Sequence, residues 1–153
     1  MKLIKQSTPY GCFIASVAML LGESIEQLVQ ELGHDGSEEI ASGVYRAFHY
    51  QEIIDLAWRR GLAVIVIELN PDSEDFASKK VWPIKFKVDN KIRFTQYLKS
   101  NHGIICGLVN KNYHAVGWDG KEVYDPGQGI ITDLDHIDME IDYFLLFKEI
   151  KSK

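Results

Sequence analysis

Two short stretches of this sequence carry residue types that can do covalent chemistry. The first runs Q-S-T-P-Y-G-C-F-I-A-S-V-A-M-L-L-G and places Cys12 directly after Pro9-Tyr10-Gly11, at the start of an apolar run. If that run is a helix, Cys12 stands at its N-terminus. There, unpaired N–H groups and about half a positive charge favour a thiolate. The same N–H groups can receive the oxyanion formed when a thiolate adds to a carbonyl. The competing reading is a buried core cysteine, a common fate of this residue type.

The second stretch runs N-Y-H-A-V-G-W-D-G-K-E-V-Y-D-P-G-Q-G, from Asn112 to Gly129. His114 begins one strand of an expected hairpin, and Asp125 ends the other just before a Pro-Gly turn. Both lie at a similar distance from Asp119-Gly120, so register can bring them to one end of the sheet. A thiolate needs a base, and the base needs an acceptor to orient it. His114 and Asp125 fit those roles. Singly, each has a plain structural explanation, a strand histidine and a turn aspartate. Trp118 follows His114 by four, which sets both on one strand face, where the indole would shield the pair from water.

The elements that must position these residues are legible in outline. Cys12–Leu21 reads as a helix that is apolar nearly all round and therefore buried, with Gly22 as its C-terminal stop. A second helix follows from about Ile25 to Leu32, with Ser24 and Gln27 in a capping-box pattern and Gly33 at its end. Residues 34–44 are polar and read as a loop. A third helix covers about Tyr50 to Arg60, closed by Gly61. Leu62–Leu69 is β-branched and continuous, as a buried strand would be. Asn70–Ser73 reads as a turn, Val81–Val88 as a short strand kept to an edge by Pro83, and Asn90–Ser100 as a helix. Strands are then expected at Gly103–Val109, Tyr113–Trp118, Lys121–Tyr124 and Tyr143–Ile150, with a two-residue turn at Asp119-Gly120 and a tight loop at Gly127–Gly129. Helices first and antiparallel strands last argue for an α+β fold.

Composition bounds the function. The chain has 153 residues, 46% of them hydrophobic and 25% charged, so a single domain over residues 1–153 with one core is expected. Two cysteines are too few for a disulfide framework or a cysteine-only zinc site. His34, His49, His102 and His136 show no metal-ligand spacing, and Gly127–Gly129 is too short for a phosphate loop. No metal or other cofactor is therefore expected. Cys106 lies within an apolar strand and reads as core. The net charge of −5 argues against nucleic-acid binding without a local basic patch. Charge does segregate: seven basic residues lie between Lys79 and Lys99, and eight acidic ones between Asp119 and Asp142. These read as two solvated faces, or more sharply as a substrate groove with one acidic wall. No secretory pattern opens the chain, and the apolar run Phe13–Leu21 is too short to cross a bilayer. A cytoplasmic protein with free thiols and no membrane contact is expected.

The motifs together resemble a family. Gln6 lies six residues before a Cys that opens an apolar helix; a later His is followed by small and β-branched residues, then by Asp-Pro and Gly. This pattern is similar to the papain-like cysteine peptidases, and within them to the bacteriocin-processing, double-glycine-leader peptidases. It covers roughly Gln6 to Gly129. The family usually has an acidic residue before the Cys and Gly after it, where this chain has Gly11 and Phe13. The resemblance implies a papain-like fold, with N-terminal helices packed on a C-terminal antiparallel sheet. It implies Cys12 as nucleophile, His114 as base and then acid, Asp125 as its orienting group, and Gln6 as an oxyanion donor beside the Cys12 N–H. The implied activity is hydrolysis of a peptide or isopeptide amide bond in a peptide or protein substrate. Other acyl transfer on the same residues (a deamidase or transglutaminase-like activity) and a non-catalytic module binding a peptide or small ligand are the alternatives.

Overall fold

The computed structural model describes residues 1–68, 90–131, 134 and 137–150. The expected turn at Asn70–Ser73 and strand at Val81–Val88, with Trp82 and His136, lie outside these residues. Three helices come first: α1 (Cys12–Leu21), α2 (Ile25–Leu32) and α3 (Tyr50–Arg59). Between α2 and α3 lies a small hairpin of β1 (Glu39–Ala41) and β2 (Val44–Tyr45). Then follow β3 (Leu62–Glu68), α4 (Asn90–Leu98), β4 (Gly103–Val109), β5 (Asn112–Trp118), β6 (Val123–Asp125), β7 (Gly129–Ile131) and β8 (Glu140–Glu149). The order β3-β8-β4-β5-β6-β7 makes one six-stranded, wholly antiparallel sheet. The architecture is α+β, as the element order argues.

Local chemistry explains the helix ends. Gly22 and Gly33 adopt left-handed φ values of 71° and 78° and close α1 and α2. The Ser24–Gln27 capping box is formed in both directions. Arg60 ties the helices together: its guanidinium reaches Glu31 Oε2 at 2.7 Å and Glu23 Oε2 at 2.7 Å.

The centre of the sheet is buried on both faces. Strand alternation divides its side chains into two clusters. Ile104, Cys106, Ala115, Leu145 and Phe147 pack against α1, α2 and α3. Ile105, Val116, Trp118, Phe144 and Leu146 turn the other way and meet Leu98 of α4. Eight consecutive residues of α1, Cys12–Met19, are buried, as expected for a helix without a polar face. Among the described residues no single helix is long and apolar enough to cross a membrane.

Several expectations change. Residues 34–44 hold strand β1 and the first residue of β2, not a plain loop. Among the described residues β3 pairs with β8 alone, and its Ile65 and Val66 are exposed, so its apolar continuity does not reflect burial on both faces. The β5–β6 connection spans residues 119–122 rather than two residues. Asp119 Oδ1 accepts from the Lys121 and Glu122 amides at 2.9 and 2.8 Å, which widens the turn. Gly129 opens a further strand, β7, instead of lying in a loop.

Candidate active site

Cys12 is the first residue of α1, and the loop before it is unusually close-packed. The Gly11 amide donates to Thr8 O at 3.1 Å. A Cβ at Gly11 would stand 2.9 Å from Thr8 Oγ1 and 3.3 Å from Thr8 O, so a side chain here would make the Thr8 hydroxyl turn aside. Gly11 is also the N-cap and offers no side-chain cap. The first-turn N–H groups of α1 thus have no side-chain acceptor. Cys12 is 8% exposed and borders a cavity of about 370 Å³.

His114 borders the same cavity from the sheet, with Asp125 behind it. Pairing of Gly117 with Tyr124 and of Trp118 with Val123 aligns β5 and β6. His114 Nε2 then lies 3.0 Å from Asp125 Oδ2. Asp125 is 2% exposed, and its other oxygen accepts from Gly127 N at 2.7 Å and Gln128 N at 3.1 Å. The Pro-Gly turn therefore fixes one carboxylate oxygen and leaves the other for the imidazole. A carboxylate only accepts, so Nε2 carries the proton and Nδ1 remains for the thiol.

The electrostatics follow from these contacts. The Asp125 hydrogen bond, followed by the contact with Cys12, pushes the His114 pKa up to about 9 against the opposing cost of burial. Both contacts favour the charged form of the ring. Burial raises the Asp125 carboxyl, but His114 and the two turn amides outweigh it and hold the group below its ordinary value. Cys106 differs sharply. Burial pushes its thiol up to about 12, and only 3% of it is exposed.

Ser16 holds the helix to the sheet beneath the site. Its buried hydroxyl lies 2.9 Å from Cys12 O and 3.1 Å from Ala115 O, sharing one proton between α1 and β5. Gln6 is also drawn in. Its backbone N–H donates to Pro126 O at 3.2 Å, and its side-chain Nε2 donates to Thr8 O at 3.0 Å. Gln6 Oε1 is buried without a hydrogen-bond partner. Of the expected site residues, Cys12, His114 and Asp125 come together, and Gln6 sits between the Cys12 loop and the Asp125 turn.

Other expectations fare differently. Trp118 donates to Leu98 O at 3.1 Å within the second cluster and does not border the cavity, so it does not shield the His–Asp pair. Among the described residues no acidic one borders the cavity, so the described part of the segment from Asp119 to Asp142 adds no acidic wall there. Cys106 is buried as expected but also borders the cavity, beside Tyr143 of β8. The walls contributed by Tyr10, Phe48, Tyr113 and Tyr143 went unread. A period-two pattern identifies which residues share a sheet face, but not which part of that face a neighbouring helix leaves uncovered. Among the described residues no group of three or more His, Cys, Asp or Glu could hold a metal ion.

No family model and no curated protein matches the sequence. Among solved structures, the chain is similar to the crystal structure of a double glycine motif protease from an AMS/PCAT transporter, in complex with the leader peptide. The TM-score is 0.55 and the identity 18%, over 97% of this chain and 91% of that one. The shared property is the fold: helices on an antiparallel sheet, arranged as in that protease.

Proposed function

We propose that this chain is a papain-like thiol hydrolase that cleaves a peptide or isopeptide amide bond. The observation that carries the reading is the meeting of Cys12, at an uncapped helix start, with a His114 whose far nitrogen is held by buried Asp125. Likeness in fold to a protease bound to a leader peptide supports a peptide substrate.

In this mechanism the Cys12 sulfur, with its proton on His114 Nδ1, attacks the amide carbonyl. The oxyanion is received by the Cys12 N–H and by Gln6. One Gln6 amide proton engages Thr8 O, which orients the group and leaves its second proton for substrate. His114 then gives its proton to the leaving nitrogen, and the C–N bond breaks. Water, deprotonated by the same imidazole, releases the acyl group and regenerates the thiol. Asp125 keeps the ring oriented and stabilises its positive charge throughout. Loss of one oxyanion donor typically costs about 3 kcal/mol of barrier.

Differential alkylation tests the reading. Iodoacetamide at pH 6 should label Cys12 far faster than Cys106, measured by peptide mass spectrometry. Equal, slow labelling of both would remove the thiolate–imidazolium pair and favour a binding module. Cys12→Ala should keep the fold and lose all turnover. Mass analysis of products separates cleavage from amide loss or ligation, the outcomes of the related acyl transfers.

A further inference from the structure

The segment joining α2 to α3 contributes little to the core. Of residues 37–48, Phe48 alone is buried, and it lies with Ala47 on the wall of the Cys12 cavity. Everything else in the β1–β2 hairpin faces out or is partly covered. The segment is nonetheless tightly tied at its base, and the ties converge on His34.

The His34 side chain is only 9% exposed. Its Nε2 lies 2.8 Å from Glu52 Oε1, and its Nδ1 accepts from the Gly36 amide at 3.2 Å. Both ring nitrogens are thus committed, one as donor to α3 and one as acceptor from the loop. The ring stacks on Phe48, with centroids 4.9 Å apart and planes 25° from parallel. Glu52 also takes Arg46 Nη2 at 3.0 Å and the His49 amide at 2.9 Å. Gly36 adopts φ 77°, and a Cβ there would stand 2.9 Å from Phe48 Cε2. The glycine lets the loop close down on the phenyl ring. On the outer side Tyr45 stacks on Tyr10, which borders the same cavity, at 5.1 Å.

We propose that His34 and Glu52 form a latch that holds Phe48 as the wall of the Cys12 cavity, making His34 a positioning residue for substrates that place an uncharged, apolar group beside the scissile bond. The inference rests on the thiol-hydrolase reading above. A core contact for Phe48 needs only an apolar neighbour, and burying a histidine with a carboxylate costs desolvation that such a neighbour would avoid. What the polar latch adds is direction. It sets the angle of the phenyl ring over a cavity whose other walls include Tyr10, Phe13 and Tyr143. That lining suits a planar or branched apolar group, and its described residues offer no carboxylate to a cationic one.

The test compares two alkylating probes on the folded protein: iodoacetamide, which needs only the thiol, and N-benzyl iodoacetamide, whose ring fills the cavity. Labelling of Cys12 is followed by mass spectrometry, and folding by circular dichroism. Wild type should prefer the benzyl probe. His34→Ala should lower the benzyl rate about tenfold, as for a lost pocket contact, with the iodoacetamide rate within about twofold of wild type. His34→Gln keeps a donor for Glu52, and His34→Asn keeps an acceptor for the Gly36 amide; each should restore part of the preference. Should His34→Ala fail to fold, Phe48→Leu, which trims the wall and leaves the latch, should show the same selective loss. An unchanged probe preference in folded His34→Ala, or in Phe48→Leu, overturns the latch. Failure of wild-type Cys12 to outpace Cys106 with iodoacetamide overturns the thiol-hydrolase reading itself, and the latch with it.

Discussion

Replacing Asp125 with Asn isolates the charge that holds His114 protonated. The Asn carbonyl oxygen can still accept from the Gly127 and Gln128 amides, so the turn persists. The rise of the His114 pKa from 6.5 to about 9 corresponds to roughly 3 kcal/mol in favour of the charged ring, at about 1.4 kcal/mol per unit. Asp125 is the larger contributor and Cys12 the smaller. With the imidazole 19% exposed, solvent screens part of this, which leaves about 1–2 kcal/mol for Asp125. A pKa raised by folding stabilises the native state fully below about pH 6.5. That stability is lost as pH climbs through about 9. In Asp125→Asn the His114 titration, read from its imidazole proton resonances, should move down by about one unit or more toward 6.5. Denaturant melts should show a deficit of about 1–2 kcal/mol at pH 6 that shrinks toward zero near pH 10. An unmoved titration, or a deficit that grows as pH rises, refutes the ion-pair reasoning.

Two further substitutions probe what holds the site in place. Ser16→Ala removes the buried hydroxyl shared by Ala115 O and Cys12 O, the latter keeping its helical bond, and should cost about 0.5–1.5 kcal/mol, seen as a drop of a few degrees in Tm. Gly36→Ala forces a side chain into a left-handed turn against Phe48 and should lower the urea midpoint by the equivalent of about 1–3 kcal/mol. A midpoint at the wild-type value would mean that the loop has room to shift.

Much of this arrangement was legible because punctuation and period agree. Gly22 and Gly33 end helices whose apolar spacing had located them, and helices preceding strands gave α+β. Cys12 could be singled out because the helix it opens is apolar on every side, so only its end is free for chemistry. The misread parts depend on polar or long-range ties. Asp119 widens its turn with its own carboxylate, which hydrophobic patterning does not register. The polarity of residues 34–44 concealed a hairpin whose order comes from His34, Glu52 and Arg46. Nothing in the β-branched run of β3 says that its Ile65 and Val66 stay exposed. Whether Cys106 is core or cavity wall depends on how far α1 and Phe48 extend over the sheet, which is a matter of tertiary packing alone.

The hydroxyl of Ser16 joins residues 99 positions apart, and the pairing of Cys12 with His114 spans a similar length of chain. Closing so large a loop costs entropy that local contacts do not offset. Until it closes, the thiol at the start of α1 has no imidazole beside it. The histidine and its aspartate lie on one hairpin, and docking of that hairpin onto α1 is what brings an imidazole to the sulfur. On the thiol-hydrolase reading, an unfinished or misfolded chain therefore carries a cysteine but no active nucleophile.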